Sequence, residues 1–517
     1  GAGYVYRTHN ALFVGASRYE GQGLTFQPQT PGQVFLTWSG PQQVTIQTIV
    51  DGTLTLDPAL LVEGWDTTQS LSVYRLRQGQ EPLLVESFPV GEPARFTAQA
   101  GQVYTLVPRP PLPLKPTTWY FAEGTTQPPF DAMWIVLMNP QTKPANVRLT
   151  FMKPNGSTVV RRYTVRPTSQ FSLRVNDVVP NEALSTAVES DIPVYAERTM
   201  YFHHDGHTSC GVSKPARTWY FAEGYTGPDF DTWILLQNPN STSTRATVTF
   251  FREDGSQVRR QFTLAPTSRL SVWVDQIVPD AAVSTTVQAD QPIIAERAMY
   301  FGGGGGHATI GVSELSRLWY LTEGYTGPGF DTWILLQNPN PTPANVTVYF
   351  LLEKGEPVVH RFQIRPTARY TLHANQVVPG KAFGARVESD LPIVAERAMY
   401  FAGGRGGHCS IGATAGAREW YLPEGSTVAG FNTFILVANP NVVPAQVTMT
   451  FMTAQGTTAE RHYTMAPNSR LTVHVNQELP GVRFATRIVA NQLVIAERAM
   501  YFNDGRGGTA SLGLPGR

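Results

Sequence analysis

Several features that would point to a particular class of protein are scarce in this sequence. Among 517 residues there are two cysteines, and 40 lysines plus arginines nearly balance 39 aspartates plus glutamates. A chain so close to neutral has no bulk charge with which to attract a nucleic-acid backbone or an anionic membrane surface. No segment approaches the ~20 consecutive apolar residues of a membrane span. We therefore expect neither nucleic acid nor a lipid bilayer as a partner.

Most of the chain, from residue 117 onward, consists of four copies of one sequence motif. Each copy opens with Trp-Tyr and a Glu-Gly pair and closes with Glu-Arg-x-Met-Tyr-Phe, at a period of about 100 residues. Solenoid units of roughly 20 to 50 residues need their neighbours, whereas about 100 residues can close a core alone. We therefore predict separate domains strung like beads. The predicted boundaries are an N-terminal domain at 1–110, a Pro-rich linker at 111–116, and repeats at 117–217, 218–317, 318–418 and 419–517.

Within each repeat the pattern is that of short β-strands. In repeat two, residues 246–251 and 258–264 flank Asp254-Gly255, where glycine supplies the positive φ of a tight hairpin. About seven such strands, separated by turn signals and without helical periodicity, predict an all-β fold of tandem immunoglobulin-like antiparallel β-sandwiches. Residues 1–110 are not a fifth copy but also have the pattern of a β-sandwich. Because the connections between repeats are short, we expect neighbouring sandwiches to touch and to form an elongated rod.

The two cysteines, Cys210 and Cys409, lie in different columns of the aligned repeats. Cys210 aligns with isoleucines in repeats two and three, and Cys409 aligns with a threonine and an alanine in repeats one and two. They are therefore poor candidates for a disulfide within the chain. We expect small apolar fillers or free thiols, with intermolecular pairing as the alternative.

Two glutamates recur in every repeat, one in the opening motif and one beside the arginine of the closing motif. A glycosidase needs a pair of carboxylates across a cleft, but four identical sites on small sandwiches argue against catalysis. On a strand, Arg297 shares its face with apolar residues, so it requires a carboxylate partner. No Ser-His-Asp or Cys-His grouping recurs, and we expect no enzyme. The candidates for structural ion pairs are Glu123, Glu197, Arg198, Glu223, Glu296, Arg297, Glu323, Glu396, Arg397, Glu424, Glu497 and Arg498.

A glycine-rich segment follows the closing motif of each repeat. A phosphate-binding glycine loop leads into a helix, and none is predicted here. His203, His204 and His207 of repeat one are weak metal-ligand candidates, but repeat four has no histidine in this segment. We therefore expect no shared metal site and no cofactor. The alternative interpretation is a long flexible hairpin that lies on the next domain or on another molecule.

Two further groups of residues are candidates for contacts with other molecules. Tyr225 and Tyr325 follow the first strand of their repeats and are candidates for stacking on sugar rings, because aromatic faces suit repeated weak sites. The ends of the chain could also build a polymer in one of two ways. The N-terminal segment could add a strand to a sheet of a neighbouring subunit, or subunits could contact each other head to tail. The assembly candidates are Tyr4, Tyr6, Leu12, Phe13 and Arg517.

The combination of Trp-Tyr-Phe-x-Glu-Gly, Asn-Pro-Asn and Glu-Arg-x-Met-Tyr-Phe is similar to an uncharacterised tandem β-sandwich repeat of secreted bacterial cell-surface proteins. The resemblance covers about 400 of the 517 residues and implies an extracellular β-sandwich array. We accordingly predict an extracellular structural protein, a self-assembling homo-oligomer or polymer that builds a surface filament, sheath or S-layer by head-to-tail or strand-donation contacts. The alternative is a glycan-binding adhesin, or an accessory array of a larger secreted enzyme.

Overall fold

The computed structural model describes residues 4–7, 11–16, 18–21, 23–38, 43–62, 65, 70–76, 83–88, 92–109, 116–456 and 458–516. The protein is 65% strand and 3% helix, with several antiparallel sheets, which confirms the all-β prediction. None of the helices in the described ranges has the length and apolarity needed to cross a membrane. The chain divides into two compact units, Gly1–Leu114 and Lys115–Arg517. Most of the predicted linker at 111–116 lies outside the described residues.

Unit one contains two antiparallel sheets. Its strands are β1 Tyr4–Arg7, β2 Ala11–Ala16, β3 Tyr19–Gly21, β4 Leu24–Pro28, β5 Gly32–Trp38, β6 Val44–Thr48, β7 Gly52–Leu56, β8 Ser70–Leu76, β9 Leu83–Phe88, β10 Ala94–Ala98 and β11 Val103–Arg109, with one short helix, α1 Pro58–Leu61. The seven-stranded sheet has the order β1-β2-β5-β6-β11-β8-β9, and the four-stranded sheet has the order β10-β7-β4-β3. Alternating buried residues of both sheets, such as Val34, Leu36, Leu54 and Leu56, form one apolar core.

Unit two contains the four repeats. Repeat one has β12 Thr117–Phe121, β13 Phe130–Asn139, β14 Ala145–Met152, β15 Thr158–Val165, β16 Ser169–Arg174, β17 Ser185–Ser190, β18 Tyr195–Phe202 and β19 Asp205–Cys210. Repeat two has β20 Ala216–Phe221, β21 Phe230–Asn238, β22 Thr244–Arg252, β23 Gln257–Leu264, β24 Ser268–Trp273, β25 Val283–Phe301 and β26 Gly305–Ile310. Repeat three has β27 Ser316–Leu321, β28 Phe330–Asn338, β29 Ala344–Leu352, β30 Val358–Ile364, β31 Ala368–His373, β32 Phe383–Phe401 and β33 Gly406–Ile411. Repeat four has β34 Ala417–Leu422, β35 Phe431–Asn439, β36 Ala445–Thr453, β37 Thr458–Met465, β38 Ser469–His474, β39 Phe484–Phe502, β40 Gly507–Leu512 and β41 Leu514–Pro515, and its short helix α2 is Val475–Glu478. Two 3₁₀ turns, Val175–Asp177 and Ala374–Gln376, occupy the same place in repeats one and three.

Each repeat is built from two four-stranded sheets, and in repeat four β41 adds a fifth strand to one of them. In repeat one these are β12-β17-β14-β15 and β16-β13-β18-β19; in the other repeats a single 19-residue strand takes the places of β17 and β18. Immunoglobulin constant domains instead pair their first strand with their second, in sheets ABED and CFG. The topology therefore differs from the immunoglobulin-like order that the strand spacing suggested. The glycine-rich segments, interpreted above as flexible hairpins, form a tight turn followed by the start of a strand that pairs antiparallel with the closing-motif strand.

The recurring motif residues have structural roles. The indole N–H of Trp219 donates to the Ile293 carbonyl, and its counterparts in the other repeats do the same. The buried Asn238 amide donates to the carbonyls of Thr242 and Ala265, which fixes the turn after β21. The hairpin glycines have positive φ, as predicted. They are Gly156, Gly255, Gly355 and Gly456.

The repeats do not form separate beads on a rod. One hydrophobic core runs continuously through repeats two and three, and the core of repeat one includes Tyr421, Met452 and Leu514 of repeat four. The hairpin of repeat one approaches the Pro266 carbonyl of repeat two, and the hairpin of repeat four approaches the Pro167 carbonyl of repeat one in the same way. Unit two is therefore a closed ring. The rod prediction failed because a sequence period gives the length of a unit but not the angle between one unit and the next.

Four equivalent strands, one from each repeat, meet at the centre of this ring. We call β19, β26, β33 and β40 the axis strands; each contacts the axis strand of the repeat before it and of the repeat after it. Phenylalanine rings repeat this cyclic order: Phe202 lies against Gly306 of repeat two, and Phe502 of repeat four lies against Gly206 of repeat one. The glycines are required because the backbone of a neighbouring repeat passes close by. A Cβ atom on Gly406 would lie 2.3 Å from the Arg506 carbonyl oxygen.

Candidate functional site

The closing-motif glutamates and arginines form a cycle of ion pairs between repeats. Arg297 of repeat two lies 2.8 Å from Glu396 of repeat three, and the same pairing joins each repeat to the next. The other pairs are Arg198–Glu296 at 3.1 Å, Arg397–Glu497, and Arg498–Glu197 at 3.6 Å. These side chains are almost completely buried. Burial opposes the charged form of Arg297, but Glu223 and Glu396 raise its pKa above the usual value.

The opening-motif glutamates lie at the same junctions, where each is held by arginines or hydroxyls. Glu123 pairs with Arg269 of repeat two at 2.7 Å, and Glu323 pairs with Arg470 of repeat four at 2.9 Å. Glu223 lies 2.9 Å from Arg297. All twelve ion-pair candidates thus lie at junctions between repeats. Arg269 and Arg470 were missed because each follows a serine at the start of an alternating strand, a pattern typical of an exposed strand.

The junction between repeats four and one, which we call the seam, departs from the other three. At the position of Arg470, repeat one has Gln170, whose amide donates to the carbonyls of Pro423 and Phe484. Glu424 therefore relies on Arg498, 3.2 Å away, and on the hydroxyl of Thr199 at 2.7 Å. The seam thus has one buried arginine fewer than the junction between repeats three and four.

The histidines of the axis strands belong to this hydrogen-bonded network. His307 Nδ1 is 3.3 Å from Arg297, its Nε2 is 3.1 Å from the Tyr400 hydroxyl, and that hydroxyl donates to Glu223. Burial lowers the pKa of His307 to about 4, so the ring is neutral at pH 7. His207 has the corresponding contacts with Arg198 and Tyr300.

The metal candidates of repeat one are not brought together. His203 is exposed, while the His204 Nε2 atom lies 3.0 Å from the Arg405 carbonyl and His207 is buried in its own network. Among the described residues, the group with metal-ligand spacing is instead Glu223, His307 and Cys409. A cation there would face the Arg297 guanidinium, which is 3.5 Å from Cys409 Sγ and 2.9 Å from Glu223. This cluster is therefore already neutralised by an arginine.

Asp205 occupies the centre of the ring. Its carboxylate accepts N–H groups from all three other repeats: Gly306 at 3.0 Å, Gly407 at 3.2 Å and Gly508 at 2.8 Å. Burial raises the pKa of Asp205 to about 7, although these N–H bonds act in the opposite direction. The other three repeats have glycine in this column: Gly305, Gly406 and Gly507. The centre of the ring therefore has room for the aspartate side chain of one repeat, and the other three repeats have glycine at this position.

Clefts open on the outside of the junctions. Between repeats three and four lies a cleft of about 390 Å³, and at the seam one of about 220 Å³. Nine of the lining residues match column by column. In the order seam cleft then repeat-three cleft, they are Trp134 and Phe434, Val136 and Leu436, Gln170 and Arg470, Ser172 and Thr472, Tyr201 and Tyr501, Glu424 and Glu323, Ser426 and Tyr325, Phe431 and Phe330, and Arg483 and Ala382.

The sugar-stacking candidates occupy this cleft position. Tyr325 lines the cleft between repeats three and four and packs edge-on against Phe330. Tyr225 has the same edge-on contact with Phe230 and is 37% exposed. An edge-on ring pair also crosses every junction: Phe130–Tyr300, Phe230–Tyr400, Phe330–Tyr501 and Phe431–Tyr201.

Four of the five assembly candidates lie on the paired strands β1 and β2 of unit one. Tyr4 and Tyr6 lie on β1, which pairs with β2 of the same chain and is the edge of its sheet. Leu12 is buried in the core, so its side chain is not available to a partner. Phe13 packs against Phe35. The fifth candidate, Arg517, lies outside the described residues.

The two cysteines, Cys210 and Cys409, are both free thiols in the structure.

Comparisons with known proteins give no family. No family model matches the chain, and no curated protein matches it. Similar solved structures include Thermotoga maritima 1070, at 23% identity over 19% of this chain and 93% of that chain with a TM-score of 0.18. The Anabaena sensory rhodopsin transducer matches at 20% identity over 16% and 95%, with a TM-score of 0.15. A tetra-tandem repeat in the extending region of a large adhesion protein matches at 12% identity over 73% and 93%, with a TM-score of 0.10.

Proposed function

We propose that unit two is an extracellular ligand-binding ring, in which the clefts between adjacent repeats bind sugars. The observation that carries this proposal is the column-by-column match between two separate clefts. Ligand sites are concave and mostly apolar, with a few polar groups that orient the ligand. The cleft between repeats three and four fits this description, because the aromatic residues Tyr325, Phe330 and Phe434 line it together with the polar residues Glu323 and Thr472.

Binding fits the cleft better than catalysis. A second carboxylate, Glu353, lines the cleft between repeats three and four, but it accepts a hydrogen bond from Thr472 and its column holds Pro154 in repeat one and Ala454 in repeat four. Glu323 is engaged by Arg470. A glycosidase pair would need an available acid and base. Repeated weak sites on one chain instead suit multivalent binding.

Tyr325→Ala should weaken sugar binding at least tenfold, because stacking area on one face of the sugar is lost. The measurement is isothermal titration of the full chain with neutral oligosaccharides that bind on a glycan array. Tyr349→Ala removes a tyrosine outside the cleft and is the matched control. Equal affinities for both variants and the parent would contradict the proposal.

A structural subunit is a second proposal, and one observation favours it: among the described strands of unit one, β1 pairs on one side only and forms the edge of its sheet. Head-to-tail growth through the repeats is disfavoured, since repeats one and four already cover each other. Polymerisation would therefore use strand addition. Deletion of residues 1–7 followed by electron microscopy tests this, since filaments that persist would exclude strand addition at β1.

A further inference from the structure

We infer that the seam cleft takes a ligand with a negative charge, a sugar that carries a carboxylate, whereas the cleft between repeats three and four takes a neutral one. This inference rests on the proposed function and adds specificity to it. It follows from four columns in which the seam differs. In the order seam then repeat-three cleft, these are Gln170 and Arg470, Ser426 and Tyr325, Arg483 and Ala382, and Ala454 and Glu353.

The positive charge at the repeat-three cleft is not available to a ligand. Arg470 is 6% exposed and donates to Glu323 at 2.9 Å, to the Gly324 carbonyl at 2.7 Å and to the Phe383 carbonyl at 3.0 Å. The charged group at the mouth of this cleft is the exposed carboxylate of Glu353. An anionic ligand would meet repulsion there and no free cation.

At the seam the arrangement is reversed. Gln170 makes two bonds to backbone carbonyls, as Arg470 does, but carries no charge. Glu424 is satisfied from behind by Arg498 and two threonine hydroxyls, Thr199 and Thr208. Because the Glu353 column holds Ala454, the mouth also lacks the carboxylate found in the other cleft. The buried groups of the seam therefore need no further positive charge, and a cation at the mouth of the cleft is free to bind a ligand.

Arg483 supplies that cation. It is exposed, lines the cleft, and lies with its guanidinium carbon 6.0 Å from the centre of the Trp134 ring. No described carboxylate lies within ion-pair distance of it. An arginine held beside an aromatic face presents its planar fork for two parallel hydrogen bonds to a carboxylate. The ring of Trp134 offers an apolar face to the rest of the ligand.

The seam also contains an unused hydrogen-bonding group. Ser426 is 6% exposed, lines the cleft, and its hydroxyl has no hydrogen-bond partner among the described residues. At this position the seam cleft has a small polar side chain where the other cleft has the ring of Tyr325. The cleft volume of about 220 Å³, against about 390 Å³ at the other junction, favours a single sugar ring.

The test is a titration of the full chain with D-glucuronate, its neutral methyl ester, D-glucose and acetate at constant ionic strength. Trp134 lines the seam cleft, whereas the matching position of the other cleft is Phe434. A ligand-induced change in tryptophan fluorescence that disappears in Trp134→Phe therefore reports binding at the seam. We expect glucuronate to bind at least tenfold more tightly than its ester and than acetate. Arg483→Ala, which installs the residue of repeat three, should remove that preference, and Arg245→Ala is the control at a distant exposed arginine.

The outcomes separate the inference from the proposed function. Glucuronate affinity that is unchanged in Arg483→Ala, or equal binding of acid and ester, or of glucuronate and acetate, would overturn the charge preference. Neutral-sugar binding that is lost in Tyr325→Ala would still support the proposed function in that case. Absence of binding by every sugar would overturn both.

Discussion

Arg297→Leu is expected to lower the free energy of unfolding by about 3–5 kcal/mol, because removal of one partner leaves an uncompensated buried charge. Arg297 lies between Glu223 at 2.9 Å and Glu396 at 2.8 Å, and it belongs to repeat two while Glu396 belongs to repeat three. Its loss strands two carboxylates inside the ring. Chemical denaturation of the parent and the variant measures the difference.

An exposed ion pair in the same unit provides the control. Arg148 and Glu189 lie 2.6 Å apart, with their side chains 45% and 46% exposed. Solvent screens such a pair, so Arg148→Leu should change the free energy of unfolding by no more than about 1 kcal/mol. A similar small change for Arg297→Leu would show that the buried cycle does not hold the repeats together.

Asp205→Gly is expected to destabilise the ring, since it leaves three buried N–H groups of other repeats without their acceptor. Each such group costs about 1–3 kcal/mol. The variant introduces the residue that repeats two, three and four already have in this column, so no steric clash accompanies the loss. An unfolding free energy equal to that of the parent would contradict a central role for this carboxylate.

The same residue predicts a pH dependence. The folded-state pKa of Asp205 is raised to about 7, while the unfolded carboxyl has its ordinary value of 3.8. Between these values the folded chain binds more protons, so stability contributed by this group is fully present below about pH 4 and declines as the pH rises to about 7. Denaturation curves at several pH values should show a decline in the parent that Asp205→Gly lacks. Parallel pH profiles would contradict the assignment.

The architecture of one repeat could be predicted from its sequence because local chemistry determines it. The hairpin at Gly255 and the alternating strands that flank it use short-range signals, and the structure has them where they were predicted. The glutamate and arginine of the closing motif, which were predicted to form ion pairs, are buried in the structure. These features depend on neighbours within a few residues or on the next strand.

The ring and its clefts could not be predicted in this way. Glycine-rich segments such as Gly302–Gly306 suggest flexibility, yet the last two of these glycines begin an axis strand whose backbone needs to approach another repeat. Gln170 and Arg483 differ from the residues at the same aligned positions of the other repeats. Their contribution to a cleft can be recognised only when repeat four is seen to lie against repeat one. Gln170 lies 253 and 314 positions from the two carbonyls that it contacts, and contacts between such distant residues leave no local pattern.

The closure of repeat four on repeat one can be tested by measuring distances between exposed hairpin positions. Spin labels at Asn155→Cys and Gln455→Cys span the seam, and labels at Asn155→Cys and Asp254→Cys span the junction of repeats one and two. Cys210→Ile and Cys409→Ala remove the native thiols with residues that other repeats use in these columns. In a closed ring both pairs join adjacent repeats, so double electron–electron resonance should give overlapping distance distributions. In a rod of about 30–40 Å per repeat, the seam pair would be roughly three times farther apart, and that result would contradict the ring.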